Sequence, residues 1–259
     1  MKCNIGNTVI NYEVKGSGKP ILLFSGFATD MNTMKNCMEP IFSKKSGWKR
    51  IYVDHPGVGD TLVGIDIKGP KDFFNTILEF VEAVIGKKER FVLAGYSFGG
   101  YISRYILNHK FNMVDGLLLI NPLIFPGIEN CDIDTNVKEI KNADKGTQEK
   151  IEKRTAIDID KSMAKTNFEF LNMLKDTGHE FIIEIDNFNK SFEKPTLILT
   201  GRQDNAVGYR DAFKIIDKYP RASYCVLDKS GHTIQIEQEE LFNKLVEEWL
   251  YRVEENANC

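Results

Sequence analysis

The sequence lacks long hydrophobic runs and blocks of positive charge. None of its apolar segments approaches the length that crosses a bilayer, and residues 1–7 lack the apolar segment of a signal peptide. Lys and Arg are scattered, and the formal net charge of −3 offers no electrostatic footprint for nucleic acid or anionic lipid. We therefore expect a cytoplasmic protein that binds neither nucleic acid nor a membrane.

Paired cysteines and cofactor motifs are missing as well. The five cysteines are scattered and no two are spaced as CxxC, so we expect reduced thiols rather than a disulfide framework or a thiolate metal site. The Gly-Ser-Gly-Lys segment at 16–19 precedes a predicted strand, whereas a phosphate-binding loop follows a strand and opens a helix. Gly57 and Gly59 lack the third glycine of a dinucleotide loop. The sequence thus predicts no metal and no cofactor.

The composition is that of an ordinary globular domain, because 42% of the residues are hydrophobic and 27% are charged. A chain of 259 residues fits one large α/β domain or such a domain with an insertion. Apolar runs alternate with amphipathic helical patterns, which predicts an α/β fold with a mostly parallel central sheet flanked by helices. The predicted strands are a hairpin at 4–14 and the runs 21–24, 48–53, 91–95, 113–120, 195–200 and 223–227. The predicted helices include 71–85, 101–107, 209–219 and 238–251.

The segment 123–193 differs from the rest of the chain. It is rich in Lys, Glu, Asp and Asn, and it has no convincing strand pattern. Helical patterns occur near 148–155, 163–174 and 180–188. We interpret this segment as a helical cap, inserted into a core made of residues 1–122 and 194–259.

The chain is organised around the stretch 91–100, where a strand-forming run stops and a helical pattern follows. Ser97 lies there between Gly95 and Gly99. This Gly-x-Ser-x-Gly spacing is typical of a strained strand-turn-helix elbow, in which residues without a side chain let strand and helix approach closely. The Ser97 hydroxyl is then expected above the sheet, facing the first amides of the helix, which can stabilise negative charge. The alternative is an ordinary turn in which the serine caps the helix.

Asp204 and His232 each follow a later predicted strand. Ligands of an open parallel sheet bind at the carboxyl ends of the strands, so we expect these side chains to meet Ser97. A serine needs a general base, and the base needs an acceptor that fixes its tautomer. The order Ser, Asp, His is one known arrangement of such a triad. Asp204 is favoured as the acid over Asp132 or Asp134.

Three other polar residues have ordinary structural interpretations. Asp228 ends the strand before His232 and is interpreted as a loop cap. His109 falls at a helix end, and His55 is interpreted as a hydrogen-bonded loop histidine.

Together these motifs resemble the α/β-hydrolase superfamily, and the resemblance covers nearly the whole chain outside the cap. The segments that carry it are 24–27, 54–60, 95–100, 201–207 and 230–232. It implies the α/β-hydrolase fold, with Ser97 as nucleophile, His232 as base and acid, and Asp204 as the orienting acid. It also implies an oxyanion hole formed by the backbone N–H groups of Phe27 and Phe98. Ser25 departs from the pattern, since the family commonly has a supporting histidine at this position. The hydrogen bonding near the oxyanion hole is therefore expected to differ from that of the family.

The resemblance implies a serine hydrolase that cleaves a small to medium carboxylic ester or thioester through an acyl-enzyme on Ser97, with a small molecule as its partner. One alternative is hydrolysis of a carbon–carbon bond in a β-diketone-like, meta-cleavage type compound, although residues 25–30 lack the extra glycine-rich oxyanion loop of those relatives. Another is a ligand-binding protein with little turnover. Met31, Met34 and Phe125 are expected to line an apolar substrate pocket, although methionines at helical spacing are also typical of a core. The oligomeric state stays open.

Overall fold

The computed structural model describes residues 1–125, 131–137, 145–176, 185 and 190–257. In these residues eight strands form one sheet: β1 (Lys2–Ile5), β2 (Thr8–Lys15), β3 (Lys19–Phe24), β4 (Trp48–Asp54), β5 (Phe91–Tyr96), β6 (Val114–Ile120), β7 (Thr196–Gly201) and β8 (Ala222–Leu227). The α-helices are α1 (Asn32–Phe42), α2 (Pro70–Ile85), α3 (Phe98–His109), α4 (Lys145–Thr155), α5 (Phe168–Asp176), α6 (Arg210–Lys214), α7 (Ile234–Glu237) and α8 (Glu239–Ala257).

The strand order is β1-β2-β4-β3-β5-β6-β7-β8. β2 runs antiparallel to β1 and β4, and all other neighbouring strands are parallel. This confirms the predicted mostly parallel sheet. β5 and β6 are buried along their whole length, as expected of central strands that are covered on both faces.

Helices cover both faces of the sheet and create two hydrophobic cores. Apolar residues of α2 and α3 pack on one face, and those of α1 and α8 pack on the other. Successive side chains of β3 alternate between the two cores, with Leu22 and Phe24 on the first face and Ile21 and Leu23 on the second. The carboxyl ends of the parallel strands meet along one edge, where the candidate functional residues follow.

The predicted helix 163–174 is broken in the structure. A 3₁₀ turn (Ser162–Lys165) is followed by extended backbone at Thr166, and α5 begins after it. The Thr166 hydroxyl donates a hydrogen bond to the Ala28 carbonyl at 2.7 Å. The contact with the loop after β3 therefore overrides the local helical pattern.

The predicted helix 209–219 is also shorter than expected. α6 ends at Lys214, and a 3₁₀ turn (Ile216–Lys218) completes the segment. Tyr219 is buried against the ring of Phe192, so the chain turns inward before β8. The predicted helix 180–188 lies outside the described residues, apart from residue 185.

No helix in the described part of the chain combines the length and apolar character that a membrane span requires.

Candidate active site

Ser97 lies in a sharp turn between β5 and α3. Its backbone has φ 54° and ψ −117°, a conformation that L-residues rarely adopt. The glycines explain why the turn is so tight. A Cβ on Gly95 would lie 2.1 Å from the Gly99 carbonyl oxygen, and a Cβ on Gly99 would lie 2.1 Å from the Phe24 carbonyl oxygen. Strand and helix therefore approach closely, and the Ser97 N–H donates to the Ile120 carbonyl of β6 at 2.9 Å.

Asp204 lies in the loop after β7, and its side chain is fully buried. One carboxylate oxygen, Oδ1, accepts the backbone N–H groups of Ala206 at 2.8 Å and Val207 at 3.1 Å. These two bonds fix the carboxylate plane and leave Oδ2 directed at the loop after β8.

His232 lies in the loop after β8 and joins the other two residues. Its Nε2 is 3.0 Å from Ser97 Oγ, and its Nδ1 is 2.9 Å from Asp204 Oδ2. The imidazole ring packs against Tyr96, with 5.2 Å between the ring centroids, and its side chain is 23% exposed. Such an arrangement lets the serine hydroxyl donate to Nε2 while Nδ1–H donates to the carboxylate, which is the tautomer that a general base needs.

The alternative acids lie elsewhere. Asp134 forms ion pairs with Arg202 at 3.3 Å and with Arg210 at 2.6 Å, and Asp132 pairs with Arg210 at 3.3 Å and with Lys214 at 3.4 Å. Their carboxylates are therefore engaged by cations and not by His232. The exposed Asp228 accepts a hydrogen bond from the Gln203 side chain at 2.9 Å.

The family model described as "Serine aminopeptidase, S33" matches residues 17–239, most of the chain. The chain belongs to this family of α/β hydrolases.

The known proteins that are similar to this α/β hydrolase are named for several different activities. The candidate carbamate hydrolase RutD of Agrobacterium fabrum is 23% identical over 258 residues, covering 90% of this chain and 95% of that protein. An α/β superfamily hydrolase from Oenococcus oeni PSU-1 has a TM-score of 0.81 at 23% identity, covering 98% of this chain and 99% of that chain. A thermophilic esterase from Thermogutta terrifontis has a TM-score of 0.69 at 20% identity over 98% of both chains. The meta-cleavage product hydrolase CumD from Pseudomonas fluorescens IP01 has a TM-score of 0.69 at 19% identity over 94% of both chains. At these identities the likeness shows a shared fold.

The loop after β3 of this hydrolase lies beside the elbow. It carries Phe27, and the rings of Phe27 and Phe98 meet edge to face with 5.5 Å between centroids. The two residues that the sequence predicts as oxyanion donors are thus neighbours in space. The assignment of their backbone N–H groups as the oxyanion donors stays a prediction.

His55 lies against this loop, near the position where Ser25 replaces the supporting histidine of the family. It is fully buried after β4, and its Nε2 lies 3.0 Å from the carbonyl of Gly26, the residue before Phe27. Its Nδ1 lies 3.1 Å from the Pro56 carbonyl. Burial lowers the pKa of the His55 imidazole, so at neutral pH the ring is uncharged and donates to one of the two carbonyls. The sequence could not show that this histidine reaches the loop after β3.

Polar contacts also join this loop to the segment between β6 and β7. Thr166 donates to the Ala28 carbonyl, as described above, and the Asp30 N–H donates to Ser162 Oγ at 2.7 Å. The Ser162 hydroxyl also lies 2.7 Å from the Asp30 carboxylate and 3.0 Å from the Thr33 hydroxyl. The loop that carries Phe27 is therefore held from both sides.

The three predicted pocket residues lie in different surroundings. Met31 and Met34 are buried in the hydrophobic core between α1 and the sheet. Phe125 is 39% exposed, and the ammonium group of Lys214 lies 5.9 Å from the centre of its ring. The burial of the two methionines agrees with the ordinary core interpretation, and a role in substrate binding stays a prediction for all three.

Within the described ranges, no group of three or more His, Cys, Asp or Glu side chains could hold a metal ion. The structure also draws attention to Asn121, which directly follows the predicted strand 113–120. A polar residue directly after a central strand whose second half is apolar, at the edge where the other site residues lie, is a signal that could have found it.

Proposed function

We propose that this α/β hydrolase is a serine hydrolase that cleaves a small to medium, largely neutral carboxylic ester or thioester through an acyl-enzyme on Ser97. The observation that carries the proposal is the hydrogen-bonded series Ser97 Oγ, His232 Nε2, His232 Nδ1 and Asp204 Oδ2, with distances of 3.0 and 2.9 Å. A buried carboxylate, an imidazole and a serine in a strained elbow are what acyl transfer requires.

In the proposed reaction, Ser97 Oγ attacks the acyl carbon while its proton moves to His232 Nε2. The negative charge that develops on the carbonyl oxygen is stabilised by the backbone N–H groups of Phe27 and Phe98 and by the N-terminus of α3. His232 then gives the proton to the departing alcohol or thiol. A water molecule, deprotonated by His232, attacks the acyl-enzyme, and the acid product leaves with Ser97 restored. Asp204 stabilises the imidazolium at each stage.

We also propose that residues 123–193 form a cap over the site and bound the acyl pocket. Support comes from the polar contacts of Ser162 and Thr166 with the loop that carries Phe27. The proposed substrate is a small molecule, and the cytoplasmic location inferred from the sequence is part of the proposal. A fold shared with CumD is also compatible with carbon–carbon hydrolysis, which the experiment below separates from ester hydrolysis.

The test is a substrate panel that contains p-nitrophenyl esters of increasing chain length, an acyl thioester and a coloured dienol of the meta-cleavage type. We expect turnover of esters or thioesters by the wild type, and a loss of roughly three orders of magnitude or more in Ser97→Ala. Ser103→Ala is the matched control, because it removes a serine hydroxyl that is buried in α3, near Ser97, and that donates to the Gly99 carbonyl at 2.8 Å.

Each other result of the panel would support a different function or a different nucleophile. Turnover of the dienol alone would replace the proposal by carbon–carbon hydrolysis. Stoichiometric labelling of the protein without turnover of any compound would favour a ligand-binding protein. Full ester hydrolysis by Ser97→Ala would contradict the acyl-enzyme on this residue.

A further inference from the structure

Asn121 occupies the carboxyl end of β6, between the loops that carry Asp204 and His232. It is completely buried, and its backbone φ of 39° lies in the left-handed region. Asn adopts this region more readily than most residues, although with some strain. Its backbone N–H donates to the Leu199 carbonyl of β7 at 2.8 Å, so the strained turn is tied to the sheet.

The side-chain amide of Asn121 bridges the two loops. Its Oδ1 accepts the N–H of Gly201, at the end of β7, at 2.8 Å. Its Nδ2 donates to the carbonyl of His232 at 2.6 Å and to that of Gly231 at 3.2 Å. The orientation of the amide follows from these partners, since a flipped amide would set its oxygen against two carbonyls and its NH₂ against an N–H.

The preceding residue extends the same connection to the nucleophile. The Ile120 carbonyl accepts the N–H of Ser97 at 2.9 Å. The dipeptide at 120 and 121 therefore bonds to the backbone of Ser97, to the start of the Asp204 loop and to His232. The loop of His232 has further supports, because Glu237 accepts the N–H of Gly231 at 2.8 Å, but the bond from Asn121 reaches the backbone of His232 itself.

We propose that Asn121 is a positioning residue that sets the orientation of His232 between Ser97 and Asp204. It acts through the backbone and contacts no substrate. The inference rests on the proposed function, because it assigns a role within the same Ser-His-Asp site. A displacement of the His232 backbone by a fraction of an ångström changes both the Nε2 to Oγ and the Nδ1 to Oδ2 distances, on which proton transfer depends.

One test observes the site without a substrate. The Nδ1 proton of a histidine bonded to a buried carboxylate gives a separate low-field proton NMR signal, which Asp204→Asn should abolish. We expect Asn121→Gly, which relieves the backbone strain and removes the amide, to broaden or shift this signal. Ionised Asn121→Asp keeps an acceptor for the Gly201 N–H but has no donor for the His232 carbonyl, and in this form it should have the same effect.

The matched control is Thr8→Val. Thr8 is fully buried at the far edge of the sheet, and its hydroxyl accepts the Gly64 N–H at 3.0 Å. The variant therefore leaves one backbone amide unpaired, as Asn121→Gly does, and should lower thermal stability while keeping the histidine signal and the activity. An unchanged signal in both Asn121 variants would overturn the proposal.

The kinetic test uses the ester that the wild type hydrolyses fastest. We expect kcat to fall roughly 10- to 100-fold in both Asn121 variants, with KM within about threefold of the wild-type value. Wild-type kcat in folded Asn121→Gly would overturn the positioning role, whereas absence of turnover in the wild type would contradict the proposed function instead. If neither variant folds, hydrogen exchange of the Asn121 side-chain amide in the wild type tests whether this amide bonds to the His232 loop. Slow exchange is expected for a buried donor to two carbonyls, and fast exchange would contradict it.

Discussion

At the scale of single residues, the site depends on backbone conformations that are unfavourable in isolation. Ser97 and Asn121 both have positive φ, and each such residue costs about 1–3 kcal/mol. The surrounding hydrogen bonds hold them in place, since the Ser97 N–H is bonded to β6 and the Asn121 N–H to β7. The strain is thus maintained by the sheet and not by the turns themselves.

His55 gives a prediction for pH dependence at this scale. Its ordinary pKa is 6.5, and burial lowers it in the folded protein. Below pH 6.5 the unfolded chain therefore binds a proton that the folded protein does not, so the free energy of unfolding falls as the pH falls. We expect wild-type stability to decline more steeply between about pH 7.5 and pH 5 than that of His55→Gln, which keeps an amide donor but does not titrate.

Denaturant unfolding across this pH range measures the difference. His109→Gln is the matched control, because it removes an exposed histidine at the end of α3 and should keep the pH dependence that the buried His55 imidazole contributes. Equal pH dependence in the wild type and His55→Gln would contradict the account of the buried imidazole.

At the scale of elements, the elbow requires close contact between β3, β5 and α3. A Cβ on Gly99 would lie 2.1 Å from a backbone oxygen of Phe24, which cannot move without distorting β3. We therefore expect Gly99→Ala to lower the free energy of unfolding by about 3 kcal/mol or more. Gly231→Ala is the control, since its nearest atoms would lie 3.5 Å away. Urea unfolding compares the two, and equal losses would show that the close approach is not the cause.

The contact between Thr166 and the Ala28 carbonyl gives a second prediction at this scale. Thr166→Val keeps the shape of the side chain but removes the hydrogen bond, whose net value is about 1 kcal/mol. If the bond orders the loop that carries Phe27, kcat for ester hydrolysis should fall roughly fivefold with little change in KM.

Thr33→Val is a useful comparison for Thr166→Val. Thr33 donates to the Asp158 carbonyl at 2.8 Å, so it also contacts the segment between β6 and β7, but from α1. We expect it to lower stability with a smaller effect on kcat. A loss of stability without any loss of kcat in Thr166→Val would show that this contact only attaches the segment.

At the scale of the whole molecule, the sheet could be predicted because its central strands are buried on both faces, are mostly apolar and end in turn residues. β6 shows this, with all of its residues buried. The meeting of Ser97, Asp204 and His232 could be expected for the same reason, since parallel strands bring their carboxyl ends to one edge. Contacts between distant segments leave no periodic pattern in the sequence, so the sequence could not predict them. Ser162 and Asp30 are 132 residues apart, and the break at Thr166 depends on such contacts.

The central claim is that Ser97 is an activated nucleophile, and the most direct test is intact-mass spectrometry after exposure to a fluorophosphonate. The reagent reacts with serines that have an assembled general base and oxyanion donors. We expect one adduct on the wild type and on Ser103→Ala, and none on Ser97→Ala. An adduct that persists in Ser97→Ala, or a folded wild type that takes up no reagent, would contradict the account.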